Sequence, residues 1–319
     1  MLRAFAAQSI LHALVAGLVV EALLRTWRLE DAVWRLRFRL IPLALPILAL
    51  PAFLLAPGRA TPAFAATWAI FDTGRWNLLR VGSLGVGDLV LALAAGLGSV
   101  LFLRDAVPPL LDEIGPPPRR GPDLPVPERL RAMADSHARA LGIEPPAIRL
   151  LRGRLPVLLC VGARRPALVL SAATLEQLDV RSLEAAVAHE LVHAAHRDPA
   201  WGYALIAARA LTFFNPATQW AARAVVDELE RRADQIAARL TGQPEALARS
   251  IALLALAAPP TGADIGDRFE RLFWQSRVDA VRRRCERLVA TGEPSGPAHA
   301  RALLAATAAA LVVLLFFVV

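Results

Sequence analysis

Five consecutive residues, His189-Glu190-Leu191-Val192-His193, have the types and spacing for metal-assisted hydrolysis. On an α-helix, positions i and i+4 lie one above the other on the same face, so both imidazoles can point at one ion. Zinc takes nitrogen donors at about 2.0–2.1 Å in tetrahedral geometry, which a helical pair of this spacing can reach. Glu190 stands beside the first imidazole, where it can take a proton from water held at the ion. The competing reading of these five residues is a solvated polar helix face.

A third ligand must come from elsewhere. His196 lies about 10 Å along a straight helix from His189, too far to share one ion, and reads as a surface residue. A metzincin-like histidine would fall at position 199, where Pro199 stands. Glu230 is the better candidate. It borders an apolar helical stripe of Ala222, Val226, Leu229, Ala233, Ile236 and Leu240. Asp234 follows one turn along the same row, and a ligand carboxylate backed by a second acid suits a zinc site. The alternative is a charged face in which Glu230 and Asp234 pair with Arg231 and Arg232.

The helix that must carry the motif runs from about Val180 to Arg197. Ser182 is its expected N-cap, Val187, Leu191 and Ala194 form an apolar face, and Pro199 marks a restart. Upstream, Glu128–Leu141 reads as a helix stopped by Gly142. Residues 147–151, 156–161 and 167–171 read as short strands bounded by Gly, Pro and Arg. The strand nearest the motif helix offers an edge for an extended peptide. Downstream, helices are expected over Ala200–Phe214, then one broken from it by Asn215-Pro216 that carries Glu230, then near Pro244–Ala257 and Ile265–Ala290. Arg282, Arg283, Arg284 and Arg287 read as a solvated basic face on the last of these.

The order of these pieces resembles a known family. His189-Glu190-Leu191-Val192-His193 with His196-Arg197-Asp198, then Phe213-Phe214-Asn215-Pro216, then Glu230 and Asp234, is similar to the BlaR/MecR-type integral membrane zinc metallopeptidases. Pro156-Val157, Gly162, Pro166 and Leu168-Val169-Leu170 resemble that family's strand region. The likeness covers roughly residues 125–290. It implies His189, His193 and Glu230 as Zn2+ ligands, Glu190 as general base, and Asp198 and Asp234 as supporting acids. It also implies a gluzincin-type zinc metalloendopeptidase acting in regulatory signalling, with a protein substrate such as a transcriptional repressor. The family's antibiotic receptors add a C-terminal penicillin-binding sensor that this chain does not carry, so direct β-lactam sensing is not expected.

Composition sets the surroundings. The chain has 319 residues, 56% of them hydrophobic, too apolar for an ordinary soluble protein, and a formal net charge of +8. There is no lysine, so the positive charge is all arginine. Without a zinc finger, a nucleic-acid aromatic motif or a phosphate-cradling glycine loop, that charge points to anionic lipid rather than nucleic acid. Cys160 and Cys285 make no disulfide framework, and neither reads as a metal ligand.

Apolar runs near 4–24, 40–57 and 82–103 are long enough to span a bilayer, and Leu303–Val319 is of minimal length. His12 and Glu21 fall inside the first. Trp68 and Trp76 suit an outer interface. Arg25, Arg28, Arg35, Arg37 and Arg39 mark the first connection as cytoplasmic. The expected organisation is a membrane region over 1–104 with three transmembrane helices, and a Pro-rich linker over 105–127. A cytoplasmic zinc metallopeptidase domain follows over 128–292, then a Gly/Pro linker and a C-terminal transmembrane helix over 300–319. Both chain ends then lie outside a multi-pass cell-membrane protein. The fold class is α+β, a mainly helical peptidase domain carrying a small β-sheet. Two other functions remain open: a quality-control or processing peptidase of the HtpX or CAAX type, and a non-catalytic membrane adaptor that keeps the fold.

Overall fold

Runs of Leu, Ala and Val between arginine clusters form long helices, because a backbone surrounded by apolar side chains must satisfy its own hydrogen bonds. In the computed structural model these are α1 (Leu2–Thr26), α2 (Ala32–Leu54) and, after the short α3 (Pro62–Thr67) and the ribbon β1 (Arg80–Val81) and β2 (Leu84–Gly85), α4 (Val86–Asp105). The structure describes residues 2–70, 72, 75, 78–108, 123–162, 166–257, 265–290 and 299–318. Most of the expected linkers, residues 109–122 and 291–298, and Trp76 lie outside these residues.

The described chain divides into two compact units. The first contains residues 1–115, 204–229 and 294–319. Three of its helices, over Phe5–Thr26, Ala32–Phe53 and Val86–Asp105, are long and apolar enough to cross a membrane. The last helix in the chain, Ala300–Phe316, is apolar but shorter, at 17 residues. Pro42, Pro46 and Pro51 sit inside α2, which nonetheless runs continuously. Ala16, Val20 and Leu24 pack with Phe38, Ile41 and Leu45, and Leu311 and Leu315 of the last helix close the same core.

Several buried polar groups in this unit tie its segments together. The buried Arg59 guanidinium donates to the carbonyls of Phe316 (2.7 Å) and Val318, which a helix end leaves without partners. Asn215 accepts from the amides of Ala217 and Thr218 and donates to Ser9. It therefore caps the long helix Pro216–Thr241 and ties its start to α1. The buried Glu228 receives Arg35 at 2.8 Å and Arg39 at 3.0 Å. Two arginines of the expected basic connection are thus committed to one carboxylate. His12 is fully buried, stacked edge-on against Phe53 at 5.9 Å. Neither ring nitrogen has a hydrogen-bond partner among the described residues.

The second unit contains residues 116–203 and 230–293. It opens with α5 (Glu128–Ala140), ended by Gly142 at φ +70°. Three strands follow: β3 (Ala147–Leu151), β4 (Leu158–Val161) and β5 (Ala167–Ser171). Their order is β3-β5-β4, with β5 parallel to β3 and antiparallel to β4. β4 is therefore an edge strand. The helices after it are α6 (Ala172–Gln177), α7 (Val180–Ala195), α8 (Asp198–Leu211), α9 (Pro216–Thr241), α10 (Pro244–Ala255), α11 (Ile265–Val289) and α12 (Ala300–Phe316). Of these, α12, residues 204–211 of α8 and residues 216–229 of α9 belong to the first unit.

Helix α7 is buried on two sides. Ala186, Val187 and Leu191 pack with Leu130, Leu158, Leu168 and Leu170, while Ala185, Ala188 and Val192 pack with Ala233, Ala237, Leu247 and Ile251. The single apolar face expected of it is thus too narrow, because runs of alanine let neighbours approach from both sides. The expected stripe on α9 also shifts. Val226 is 43% exposed, and Val225 takes the buried place between Ala222 and Leu229. A 3.6-residue period admits either position, and packing selects one.

Candidate metal centre

Asp179 caps α7, accepting from the Ser182 amide at 2.8 Å. Ser182, the cap expected from sequence, is instead buried within the first turn. A carboxylate is favoured there because the helix N-terminus carries partial positive charge.

On the opposite end of this helix the two imidazoles converge. The Nε2 atoms of His189 and His193 are 3.1 Å apart. Glu230, on α9, places Oε2 3.6 Å from His189 Nε2 and Oε1 3.7 Å from His193 Nε2. A tetrahedral ion with bonds of about 2.0–2.1 Å separates its donor atoms by roughly 3.3–3.4 Å. The His/His/Glu donor set therefore fits a small divalent cation by distance as well as by chemistry. It is a borderline-soft set that suits zinc better than calcium or magnesium.

The rear nitrogens are met by acids. His193 Nδ1 lies 2.8 Å from Asp198 Oδ2. The chain reaches that position because Arg197 takes φ +55°, a left-handed turn that ends α7 and starts α8 on the next residue. Asp198 also receives the Arg232 guanidinium from α9. His189 Nδ1 lies 3.2 Å from Asp234 Oδ1, near enough for a pair but not aligned for a hydrogen bond. Asp234 is gripped by Arg284 of α11 through two bonds, at 2.9 and 2.7 Å. The same guanidinium lies 3.0 Å from Glu230 Oε2.

These contacts decide between the two sequence readings of the acidic row. Glu230 and Asp234 face the histidines and Arg284, while Arg232 is taken by Asp198. His196, expected at the surface, is half-buried and has its Nδ1 3.0 Å from the carbonyl of Val192.

Glu190 lines the same cleft as His189 and Glu230. Its Oε2 accepts from the Cys160 amide on edge strand β4 at 2.8 Å. Burial pushes the Glu190 carboxyl above its ordinary pKa, against the pull of His189 and His193. A raised carboxyl is suited to exchanging protons near neutrality. Burial lowers the His189 pKa, but Asp234 and Glu230 outweigh it and bring it up to about 10. Glu230, Asp234 and Asp198 each feel burial pushing upward, and each is held below the ordinary carboxylate range by its cationic neighbours. Burial, with Glu190 and Asp198, pushes the Cys160 thiol up to about 12, so it is not a nucleophile.

A cleft of about 210 Å³ opens at the centre. His189, Glu190, Glu230 and Arg284 form its polar side, with Leu158, Leu247 and Ile251 among the apolar residues opposite. A peptide laid along β4 would meet Glu190 at Cys160. Sequence reasoning missed three parts of this arrangement: the Asp179 cap, the Cys160–Glu190 bond and the inward turn of Arg284. An Asp three residues before Ser182 was a visible signal for the first. Nothing local signals the other two.

A helical histidine pair and a carboxylate from a second helix, around a cleft beside an edge strand, form a group that could hold a metal ion. Residues 148–257 match the family model described as BlaR1 peptidase M56, which bears out the resemblance over that segment. The match takes in His189, Glu190, His193, Asp198, Glu230 and Asp234 and ends before Arg284. No curated protein matches the chain.

Proposed function

We propose that this chain is a membrane-anchored, zinc-dependent endopeptidase that cuts a protein substrate in regulatory signalling. The observation that carries the reading is the convergence of ligand atoms from His189, His193 and Glu230 within 4.8 Å, with Glu190 beside them. His189, His193 and Glu230 would hold the ion. A bound dication supplies Lewis acidity towards a carbonyl and makes water a better nucleophile at neutral pH.

The remaining work falls to the chain's own side chains. Glu190 takes a proton from the attacking water and delivers it to the leaving amine. Asp198 fixes the tautomer and tilt of His193 through Nδ1, and Asp234 sets a negative charge 3.2 Å behind His189 Nδ1. Strand β4 receives the substrate in extended form, and the apolar wall of the cleft removes water from the reacting carbonyl.

The arginines that flank the α1–α2 connection support a cytoplasmic position for the peptidase domain with both chain ends outside. A cytoplasmic substrate, such as a transcriptional repressor, follows from that placement.

The test is Glu190→Gln in full-length protein in membranes. Metal content should match wild type while cleavage falls by at least a hundredfold. Equal cleavage by wild type and variant refutes the role given to Glu190. Proteomics of cells carrying either form should find one regulator cut by wild type alone. Many misfolded proteins cut would favour the processing alternative, and no zinc in wild type would favour the adaptor.

A further inference from the structure

Arg284 is read from sequence as one of four arginines on a solvated helix face. The structure separates it from the others. Arg282 is 65% exposed and pairs with Asp279 and Glu286 on its own helix, whereas the Arg284 side chain is 21% exposed and turned into the metal centre. Each of its three nitrogens meets an acid: Nε and Nη2 hold the two oxygens of Asp234, and Nη1 lies 3.0 Å from Glu230 Oε2.

We propose that Arg284 is a positioning residue that commits Glu230 to the ion through one oxygen, Oε1, and holds Asp234 behind His189. The inference rests on the metallopeptidase reading above.

Two observations support it. The first is the division of labour between the Glu230 oxygens. Oε2 lies 3.0 Å from the guanidinium and 3.6 Å from His189 Nε2, while Oε1 lies 3.7 Å from His193 Nε2 and, among the described residues, has no guanidinium against it. An ion held by both oxygens would have to share Oε2 with Arg284, 3.0 Å away. With Oε2 so occupied, the protein supplies three donor atoms, and coordination positions remain for water and a substrate carbonyl.

The second is charge. Glu190, Glu230, Asp198 and Asp234 bring four negative charges to the site, and Arg232 and Arg284 bring two positive ones. With neutral imidazoles the cluster carries −2, which one dication balances. Without Arg284 it would carry −3, and both carboxylates that bracket His189 would lose their common anchor. Lysine cannot replace that anchor fully. It is a point charge, while the planar guanidinium serves two acids at fixed angles.

The experiment uses the full-length protein in detergent or nanodiscs, as wild type, Arg284→Lys and Arg284→Met. Zinc affinity is measured by competition with a chelator, and Co2+ is added as a spectroscopic probe of coordination. We expect Arg284→Met to bind zinc about 10–100-fold more weakly, the range for loss of a group that supports metal ligands. Its Co2+ visible bands should weaken, as expected when a second Glu230 oxygen raises the coordination number. Arg284→Lys should keep part of the affinity and still show the changed spectrum. If Arg284→Met does not fold, the lysine variant decides. Wild-type affinity and an unchanged Co2+ spectrum in the folded variants would overturn the inference and leave the function reading standing. A wild-type protein that takes up neither metal would overturn the function reading, and this inference with it.

Discussion

Asp198 offers a sharp separation of stability from metal binding. It touches two groups at once: His193 Nδ1 at 2.8 Å and the guanidinium of Arg232. The Asp198 and Arg232 side chains are 7% and 9% exposed. Removing one partner of a buried ion pair strands the other, at a cost of about 3–5 kcal/mol. Removing a support of a ligand imidazole weakens metal binding about 10–100-fold. Asp198→Ala should therefore lose both, and Asp198→Ala combined with Arg232→Met should recover most of the stability but none of the metal affinity. Asp198→Asn keeps the volume and an acceptor oxygen, so it should lose less of each. Denaturation of the metal-free protein reads the first quantity, and chelator competition reads the second. Should the double variant regain metal affinity along with stability, Asp198 acts only as a counter-ion for Arg232, and its assignment to His193 is wrong.

Further predictions concern Glu190, the first unit and pH. Glu190→Gln should abolish cleavage without releasing metal. A Cβ on Gly98 would stand 2.4 Å from the backbone carbon of Phe214, which cannot swing aside. Gly98→Ala should therefore cost about 1–3 kcal/mol of stability, the range for overpacking, whereas Leu97→Ala at a position 54% exposed should be nearly neutral. In metal-free protein the folded pKa of His189, about 10, lies above its ordinary 6.5 because Asp234 and Glu230 overcome the effect of burial. Its contribution to stability is complete below pH 6.5 and is lost as pH rises towards 10. Melting temperature should fall over that window, and His189→Gln should flatten the slope; an unchanged slope would show that the imidazole does not carry it.

Much of the local architecture was legible in the residues. The three strands of the peptidase unit lie where short apolar runs between Gly, Pro and Arg place them, to within two residues. Gly142 ends α5 in the left-handed region that glycine tolerates. Asn215-Pro216 starts α9 because an Asn side chain caps two amides and Pro needs no partner at the first turn. Division of the chain into units was not legible. Residues 204–229 lie between the peptidase segments in sequence, yet cluster with the apolar helices. Their buried Glu228 pairs with Arg35 and Arg39 of α2, while Thr218 and Gln219 bond to Thr212 and Arg209 within the segment, and polarity alone does not reveal which partners a buried side chain will find.

The sequence by itself determined that His189 and His193 share one helix face with Glu190 beside them, because a helix repeats every 3.6 residues wherever it is placed. Only the tertiary structure decided what stands around that pair. Glu230 is a ligand candidate and not the partner of Arg232, because α9 packs its alanines against those of α7 and turns its acidic row towards the imidazoles. Asp198 meets His193 because a left-handed Arg197 folds the chain back within one turn. Arg284, 50 residues from Asp234, joins them through packing alone. Local periodicity orients a side chain about its own helix axis, whereas contacts between distant helices depend on how their surfaces interlock.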